Sequence, residues 1–475
     1  MKVRNPRTGQ MDYAIAPLGA DALDALCRRL RSAQPAWAAR TPEERGALLL
    51  KLANAIAAHS SAIADALVTD TGRRAISEME VAGIPALLRR WAGGAPTIIH
   101  ETTIWGRESA APDIAIDTRL IPYPLVGVIS PWNFPLTLAL IDAIPALAAG
   151  CAVIVKPSEI TPRFIRPLLA AVASVPEVAA VLAIIEGDGA TGAALVERAD
   201  YIAFTGSVAT GRKVAEAAAR AFIPVSLELG GKDPMIVLAS AHIPTAAQIA
   251  LRASVVNSGQ ACQSIERVYV DRAIAEPFLA ELAAAAGAVR LNYPDIRVGD
   301  IGPFIDMRQA EIVDAQIKDA LAKGARLLSG GQIEQLDGGL YLRPTVLADV
   351  TPDMTVMTEE SFGPVIPVAA FDSIEEAIGL ANSSVYGLSG AVLAGTDGEA
   401  AAVAMHLNVG AVSVNDGALT AMVWDAEKSS FGLSGLGPSR MGDAGLLRFF
   451  RKQSLLRQMG RALPLAAYSE EGMEP

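Results

Sequence analysis

The sequence predicts an α/β chain built on a doubly wound, mostly parallel β-sheet, and three features of its N-terminal half point there. Apolar runs that read as fully buried strands recur at 125–130 (LVGVIS), 151–155 (CAVIV), 181–185 (VLAII) and 201–204 (YIAF), with helical stretches between them. Residues 136–155 change character along their length: an Ala/Leu-rich helical part stops at Gly150 and gives way to CAVIV, which is half of a βαβ unit. Residues 113–120 (DIAIDTRL) instead alternate apolar and polar side chains, as an antiparallel strand with one wet face would. Apolar strands alternating with helices give a sheet covered on both faces, the usual platform for a dinucleotide.

Along the chain, MKVRNPRTGQ carries no apolar stretch of a secretory signal, so a cytoplasmic location is expected. Thr41-Pro42-Glu43-Glu44 is a capping box with proline at the first helical position. It opens one predicted helix whose Leu49, Leu52, Ile56, Ile63 and Leu67 share a face until Gly72 ends it. Residues 136–155 are long enough to span a bilayer, but Asp142, Pro145 and Gly150 interrupt them, and a soluble chain with no membrane partner is expected. Further on, Glu228 alternates with Val225, Leu227 and Leu229 on a strand, and Val268-Tyr269-Val270 reads as another. The closing YSEEGMEP is expected to fray.

At 475 residues the chain exceeds one ordinary core, so two or three domains are expected. Apolar residues make up 51% and charged residues 19%, a globular composition with a large buried fraction. A net charge of −11 without any Lys/Arg run argues against nucleic acid and against anionic membrane surfaces. Three distant cysteines make no disulfide framework, and four scattered histidines make no metal set.

Candidate chemistry lies at the ends of the predicted strands. SPWNFPL (130–136) offers Asn133, whose amide can donate to an oxyanion, and KPSE (156–159) offers Lys156 and Glu159 for ribose hydroxyls. FTGSVATG (204–211) opens a helix at Gly206-Ser207, where free amides could face a phosphate. LELGGK (227–232) carries Glu228, GQACQ (259–263) carries Cys262, and EESFGPV (359–365) carries an acid beside an aromatic. Taken singly, Glu228 also suits a solvated strand face, and Cys262 a small buried hydrophobe.

Together these pieces resemble the aldehyde dehydrogenase superfamily, from NPRTGQ at residue 5 to RFFRKQSLL near residue 456, with PWNFPL, FTGS, ELGGK and Gly-Gln-x-Cys the most specific. The resemblance implies a Rossmann-like dinucleotide-binding domain (1–103 and 123–230), an α/β catalytic domain (231–440), a small β oligomerisation element (104–122 and 441–460) and a tail (461–475). It also implies a homodimer or homotetramer. By the same resemblance Cys262 is the nucleophile, and Asn133 with the Cys262 amide cradles the oxyanion. Hydride then passes to a nicotinamide, leaving a thioester that water activated by Glu228 hydrolyses. Lys156 and Glu159 resemble the adenosine-ribose contacts, with Glu159 favouring NAD while leaving NADP open. Gly206 and Ser207 resemble the phosphate turn, Glu360 and Phe362 the clamp on the nicotinamide ribose, and Trp132 lines the cleft or stays in the core. Cys27 and Cys151 have no counterpart in this chemistry.

The chain departs from the family's common PFGGxKxSGxGRE pattern: residues 427–442 read EKSSFGLSGLGPSRMG, matching cleanly at Ser434-Gly435 and Gly437. Lys428 stands where relatives often place an aromatic. Leu138, Ile141, Asp142 and Trp424, with Lys428, are the candidate substrate walls. Their mainly apolar character points to a medium-sized hydrophobic or aromatic aldehyde, with Lys428 suited instead to a carboxylate. The alternatives are a semialdehyde enzyme, a coenzyme-A-acylating enzyme, which usually lacks the glutamate of LELGG, or a retired binding protein, which should have lost Cys262, Asn133 or Glu228.

Overall fold

The computed structural model describes residues 1–470; the end of the predicted frayed tail, 471–475, lies outside the described residues. A six-stranded sheet runs in the order Gly435–Leu436, Val225–Glu228, Tyr201–Thr205, Leu125–Ile129, Ala152–Lys156, Leu182–Ile184. The last five strands are parallel, and Gly435–Leu436 closes the edge antiparallel. Every residue of Leu125–Ile129, Ala152–Lys156 and Tyr201–Thr205 is buried, the expected state of strands covered by helices on both sides. The chain moves outward from Leu125–Ile129 to one edge, then returns to lay Tyr201–Thr205 on the other side. That reversal leaves a crevice at the carboxyl ends of these two strands, where open α/β sheets bind ligands.

A seven-stranded sheet follows, in the order Arg326–Ser329, Thr345–Ala348, Val365–Phe371, Ile265–Asp271, Asp233–Val237, Ser389–Leu393, Ala411–Val414. It is parallel except at Arg326–Ser329. The two sheets are joined by Leu229-Gly230-Gly231-Lys232, between strands Val225–Glu228 and Asp233–Val237. One apolar core packs the N-terminal helices onto the first sheet, and two others cover the second. The alternating 113–120 segment falls, from Ile114 on, within strand Ile114–Pro122, which pairs antiparallel with Phe450–Gln458 and with Arg107–Glu108.

The capping box forms as read: the Glu44 amide donates to Thr41 Oγ1 and the Thr41 amide to Glu44 Oε2, at 3.2 and 2.8 Å. The single predicted helix does not. Pro42–Ala58 ends at His59, and the chain bends by 66° into Ser60–Thr71. His59 leaves helical geometry (φ −102°, ψ 10°), and the serines that follow favour helix starts over interiors. The bend lets Leu49, Leu52, Ile56, Ile63 and Leu67 all stay buried. Residues 135–150 break as well, into Pro135–Leu140 and Ala143–Ala149, with Gly150 in the left-handed region (φ 105°) before strand Ala152–Lys156. Among the described residues no single helix is long and apolar enough to cross a membrane.

Candidate active site

The crevice of the first sheet and the start of the second face each other across the Leu229–Lys232 crossing. The space between them is lined by Trp132, Asn133, Leu138, Gly206, Ser207, Cys262, Glu360 and Phe362, with Pro131, Thr205, Leu229, Gly230 and Gln309. Two glycines bring the walls this close. A Cβ on Gly230 would meet the Glu360 carboxylate at 2.5 Å, and one on Gly231 the Cys262 carbonyl at 2.8 Å. Close approach of other chain segments, not a left-handed turn, is why LELGGK needs glycine there.

Cys262 sits between the helix Ile243–Val255 and the strand Ile265–Asp271, after a tight turn in which Asn257, Ser258 and Gly259 all have positive φ (61°, 57° and 70°). A Cβ on Gly259 would lie 2.2 Å from the Gly363 carbonyl, so this turn packs against the Phe362 loop. Gln260 anchors it, accepting from the Ile305 amide and donating to the Pro303 carbonyl at 2.9 and 3.2 Å. The thiol is half-buried at the cleft, and the surrounding protein pushes its pKa up to about 12. The Lys428 ammonium is the main influence in the opposite direction, ahead of Asp233, Glu360 and Glu228, which raise it further. Among the described residues the Cys262 amide donates to no protein acceptor, so it is free for a ligand.

Asn133 is almost wholly buried, with Nδ2 donating one hydrogen to the Gln260 carbonyl at 3.0 Å and keeping the second. Arg73, also buried, donates to the backbone carbonyls of both Asn257 and Asn133, at 2.8 and 3.3 Å, tying the two loops together. Glu228 ends its strand beside them, with Oε2 accepting from Ser430 Oγ at 3.1 Å. Cys262 and Asn133 thus line one space, and Glu228 is near enough for its charge to act on the Cys262 thiol.

The other predicted cofactor residues lie on the crest of the first sheet and, for Glu360 and Phe362, on the loop before strand Val365–Phe371 of the second. Lys156 and Glu159 form an ion pair at 3.1 Å. Ser207 is exposed and caps the helix Val208–Ala221, accepting from the Thr210 amide at 3.3 Å. Trp132 lines the cleft and meets Phe362 edge-on, with ring centroids 5.4 Å apart. One Glu360 oxygen accepts from the Gly231 amide at 3.1 Å, and burial holds this carboxyl well above the usual carboxylate range.

Three wall assignments need correction. Asp142 is fully buried and bonds Arg440 and Arg448, so it is a structural ion-pair hub and not a cleft residue. Ile141 is buried at the break between the two short helices, outside the cleft lining. Trp424 packs against the first core, and its carbonyl accepts from Arg90 at 2.7 Å. Only Leu138 is among the residues lining the cleft; Lys428 Nζ donates to the Thr420 carbonyl at 3.3 Å. The sequence reading also missed three supports. Arg73 and Gln260 hold the loops of Asn133 and Cys262. Glu266 accepts from the Ser361 and Phe362 amides, both at 2.7 Å, while Lys232 pairs with it at 2.8 Å. The lysine of ELGGK and the glutamate four residues after Cys262 were the available signals.

Residues 1–455 match the sequence model of the Aldehyde dehydrogenase family. A Mycolicibacterium smegmatis protein provisionally named succinate-semialdehyde dehydrogenase of the NADP(+) type is 37% identical over 445 residues, covering 92% of this chain and 85% of its own. A solved Anabaena variabilis structure, provisionally described as the aldehyde dehydrogenase PutA, is similar with TM-score 0.95 and 51% identity, covering 98% of both chains. A Staphylococcus aureus betaine aldehyde dehydrogenase point mutant in complex with NAD+ gives TM-score 0.90 and 29% identity over 98% of this chain and 95% of that one.

Proposed function

The chain belongs to the aldehyde dehydrogenase family, and from that premise we propose that it oxidises an aldehyde to a carboxylic acid with NAD(P), using Cys262 as nucleophile. The observation that carries this reading is that Cys262, with its unpartnered amide, and Asn133, with a spare Nδ2 hydrogen, line one cleft, while the charge of Glu228 acts on the Cys262 thiol. Cys262 Sγ bonds to the carbonyl carbon once its proton is lost, and the oxygen becomes an oxyanion. Asn133 Nδ2 and the Cys262 amide donate to that oxyanion, a type of contact worth about 10²–10³ in rate. Oxidation of the carbon leaves a thioester on Cys262. Glu228, after release from Ser430, takes a proton from the water that hydrolyses it.

The crest suits a dinucleotide. Glu360 has one oxygen fixed by Gly231 and the other available to a ribose hydroxyl, and its carboxylate lies so close to Gly230 that a Cβ there would collide with it. Lys156, Glu159 and Ser207 would hold the adenosine ribose and a phosphate, Glu360 and Phe362 the second ribose. When bound, the dinucleotide supplies the hydride acceptor. Glu159 favours a free 2′-hydroxyl and hence NAD, with NADP use retained.

Leu138 suits an apolar stem on the substrate, as in a medium-sized hydrophobic or aromatic aldehyde. Lys428 favours a second reading, a semialdehyde. The relatives' names include one substrate with a carboxylate, succinate semialdehyde, and one with a quaternary ammonium, betaine aldehyde, so the charge of the far end has to be read from this chain's own residues. The presence of Glu228 favours hydrolysis over transfer to coenzyme A. The strand Phe450–Gln458 is exposed beyond its first residue, with Leu456 and Met459 outward, and a second copy covering it would give a homodimer or homotetramer. A monomer by light scattering would remove that part. The test of the activity is NAD(P)H formation at 340 nm across aliphatic, aromatic and carboxylated aldehydes, with the product identified with and without coenzyme A. Free acid formed without coenzyme A supports the reading, and no turnover with any aldehyde overturns it.

A further inference from the structure

We propose that Arg73 and Glu80 are positioning residues for the oxyanion donor, gripping the Asn133 turn from the start of one helix. The inference rests on the aldehyde oxidation proposed above and adds two residues that act on it through Asn133.

The Asn133 turn has little with which to hold itself. It lies between strand Leu125–Ile129 and helix Pro135–Leu140, and Pro131 and Pro135 within it have no N–H to donate. The helix that follows has six residues, and its first amides find no partner inside it. Both gaps are closed from the helix Arg74–Thr102. Arg73, at its N-terminal cap, sends Nη2 to the Asn133 carbonyl at 3.3 Å and Nη1 to the Asn257 carbonyl at 2.8 Å. Glu80, about two turns further along, accepts the Thr137 amide on Oε2 at 2.9 Å. The backbone is thus held at Asn133 itself and again four residues on, and the same guanidinium reaches the turn before Cys262.

Both side chains are buried, and among the described residues neither enters an ion pair. Arg73 Nε and Glu80 Oε1 have no partner at all. Buried charges are costly unless paired, so fold stability alone gives no reason to keep these two with their bonds turned to loop backbone. The position of Asn133 does give one. The two oxyanion donors stand on separate segments, Asn133 after a strand of the first sheet and Cys262 before a strand of the second. Arg73 bonds to both segments, and a shift of about 1 Å between such groups can lower a rate about 10²-fold. The surroundings are shaped around that guanidinium. A Cβ on Gly302 would meet Arg73 Cγ at 2.6 Å, and the Arg73 carbonyl is held by Ser77 Oγ at 2.6 Å.

The test measures kcat, both KM values and thermal unfolding in Arg73→Met, Glu80→Met, Arg73→Lys and Glu80→Gln, each made also in an Asn133→Ala background. Expected in the two Met variants is a fall of about 10- to 100-fold in kcat for every aldehyde, with KM for the dinucleotide unchanged. Arg73→Lys and Glu80→Gln, which keep a donor and an acceptor oxygen, recover most of the loss. In the Asn133→Ala background Glu80→Met costs little more, because the side chain it positions is gone, and Arg73→Met costs less, since only its bond to Asn257 still counts. Where a Met variant does not fold, the Lys and Gln variants carry the same comparison with a smaller fall. A folded Met variant with wild-type kcat overturns the inference. A loss that multiplies in full with that of Asn133→Ala overturns it too, because the two side chains would then support the fold and not the donor. A wild type that oxidises no aldehyde removes the underlying reading instead.

Discussion

The cofactor side of the cleft and the wall facing it hold their side chains by different means. On the cofactor side, Lys156 and Glu228 end strands of the first sheet, Ser207 follows one by two residues and Asn133 by four, and most of those strands are buried. On the facing wall, Lys428 and Ser430 lie in a loop whose regular pieces are only Phe431–Gly432 and Gly435–Leu436. A side chain at the end of a buried strand cannot move without disturbing the sheet. A loop fixed by a few hydrogen bonds can change residue by residue. On the proposed reading the oxyanion donor and the base depend on the first sheet, Cys262 on the loop before strand Ile265–Asp271, and the choice of aldehyde on the facing loop.

Damage to the sheet-borne side should slow every aldehyde alike, whereas damage to the loop should redistribute turnover among aldehydes. The largest sheet-side effect after loss of the nucleophile itself is expected from Glu228→Gln. It should lower turnover about 10²–10⁴-fold and let the thioester accumulate as an acyl adduct visible by intact mass. Free acid at the wild-type rate would show that Glu228 is not the base. Asn133→Ala should cost about 10²–10³-fold in kcat for carboxylated and unsubstituted aldehydes alike, with cofactor binding by fluorescence unchanged. A loss confined to one class of aldehyde would move Asn133 into the specificity wall. The mildest effect concerns pH. Burial pushes the Cys262 thiol up to about 12, so it holds its proton through the neutral range and the thiolate share grows as pH rises. Expected is a kcat/KM that climbs between pH 6 and 9 for every aldehyde, and a flat profile would contradict it.

The same contrast decides what could be read from sequence. Strand ends were legible because an apolar run followed by a polar or Gly-rich turn is a local pattern, and Asn133, Lys156, Ser207 and Cys262 all follow or precede such runs. Arg73, Gln260 and Glu266 were missed because their roles are contacts between distant segments: Arg73 reaches Asn257, 184 positions away, and the Ser361 amide reaches Glu266 across 95. Asp142 was misplaced for a related reason. Its position after Asn133 suggested a helix facing the cleft, but the helix breaks there, and its partners Arg440 and Arg448 lie 298 and 306 positions downstream. The continuous helix after Thr41 failed locally: the apolar face persists through the bend at His59, so periodicity alone could not mark it.

The central claim is that Cys262 carries the covalent step, and Cys262→Ala tests it most directly. The variant should keep its thermal unfolding profile and bind dinucleotide as the wild type does, while NAD(P)H formation falls roughly 10⁴-fold or more with every aldehyde. Continued aldehyde oxidation by a folded Cys262→Ala protein would contradict it.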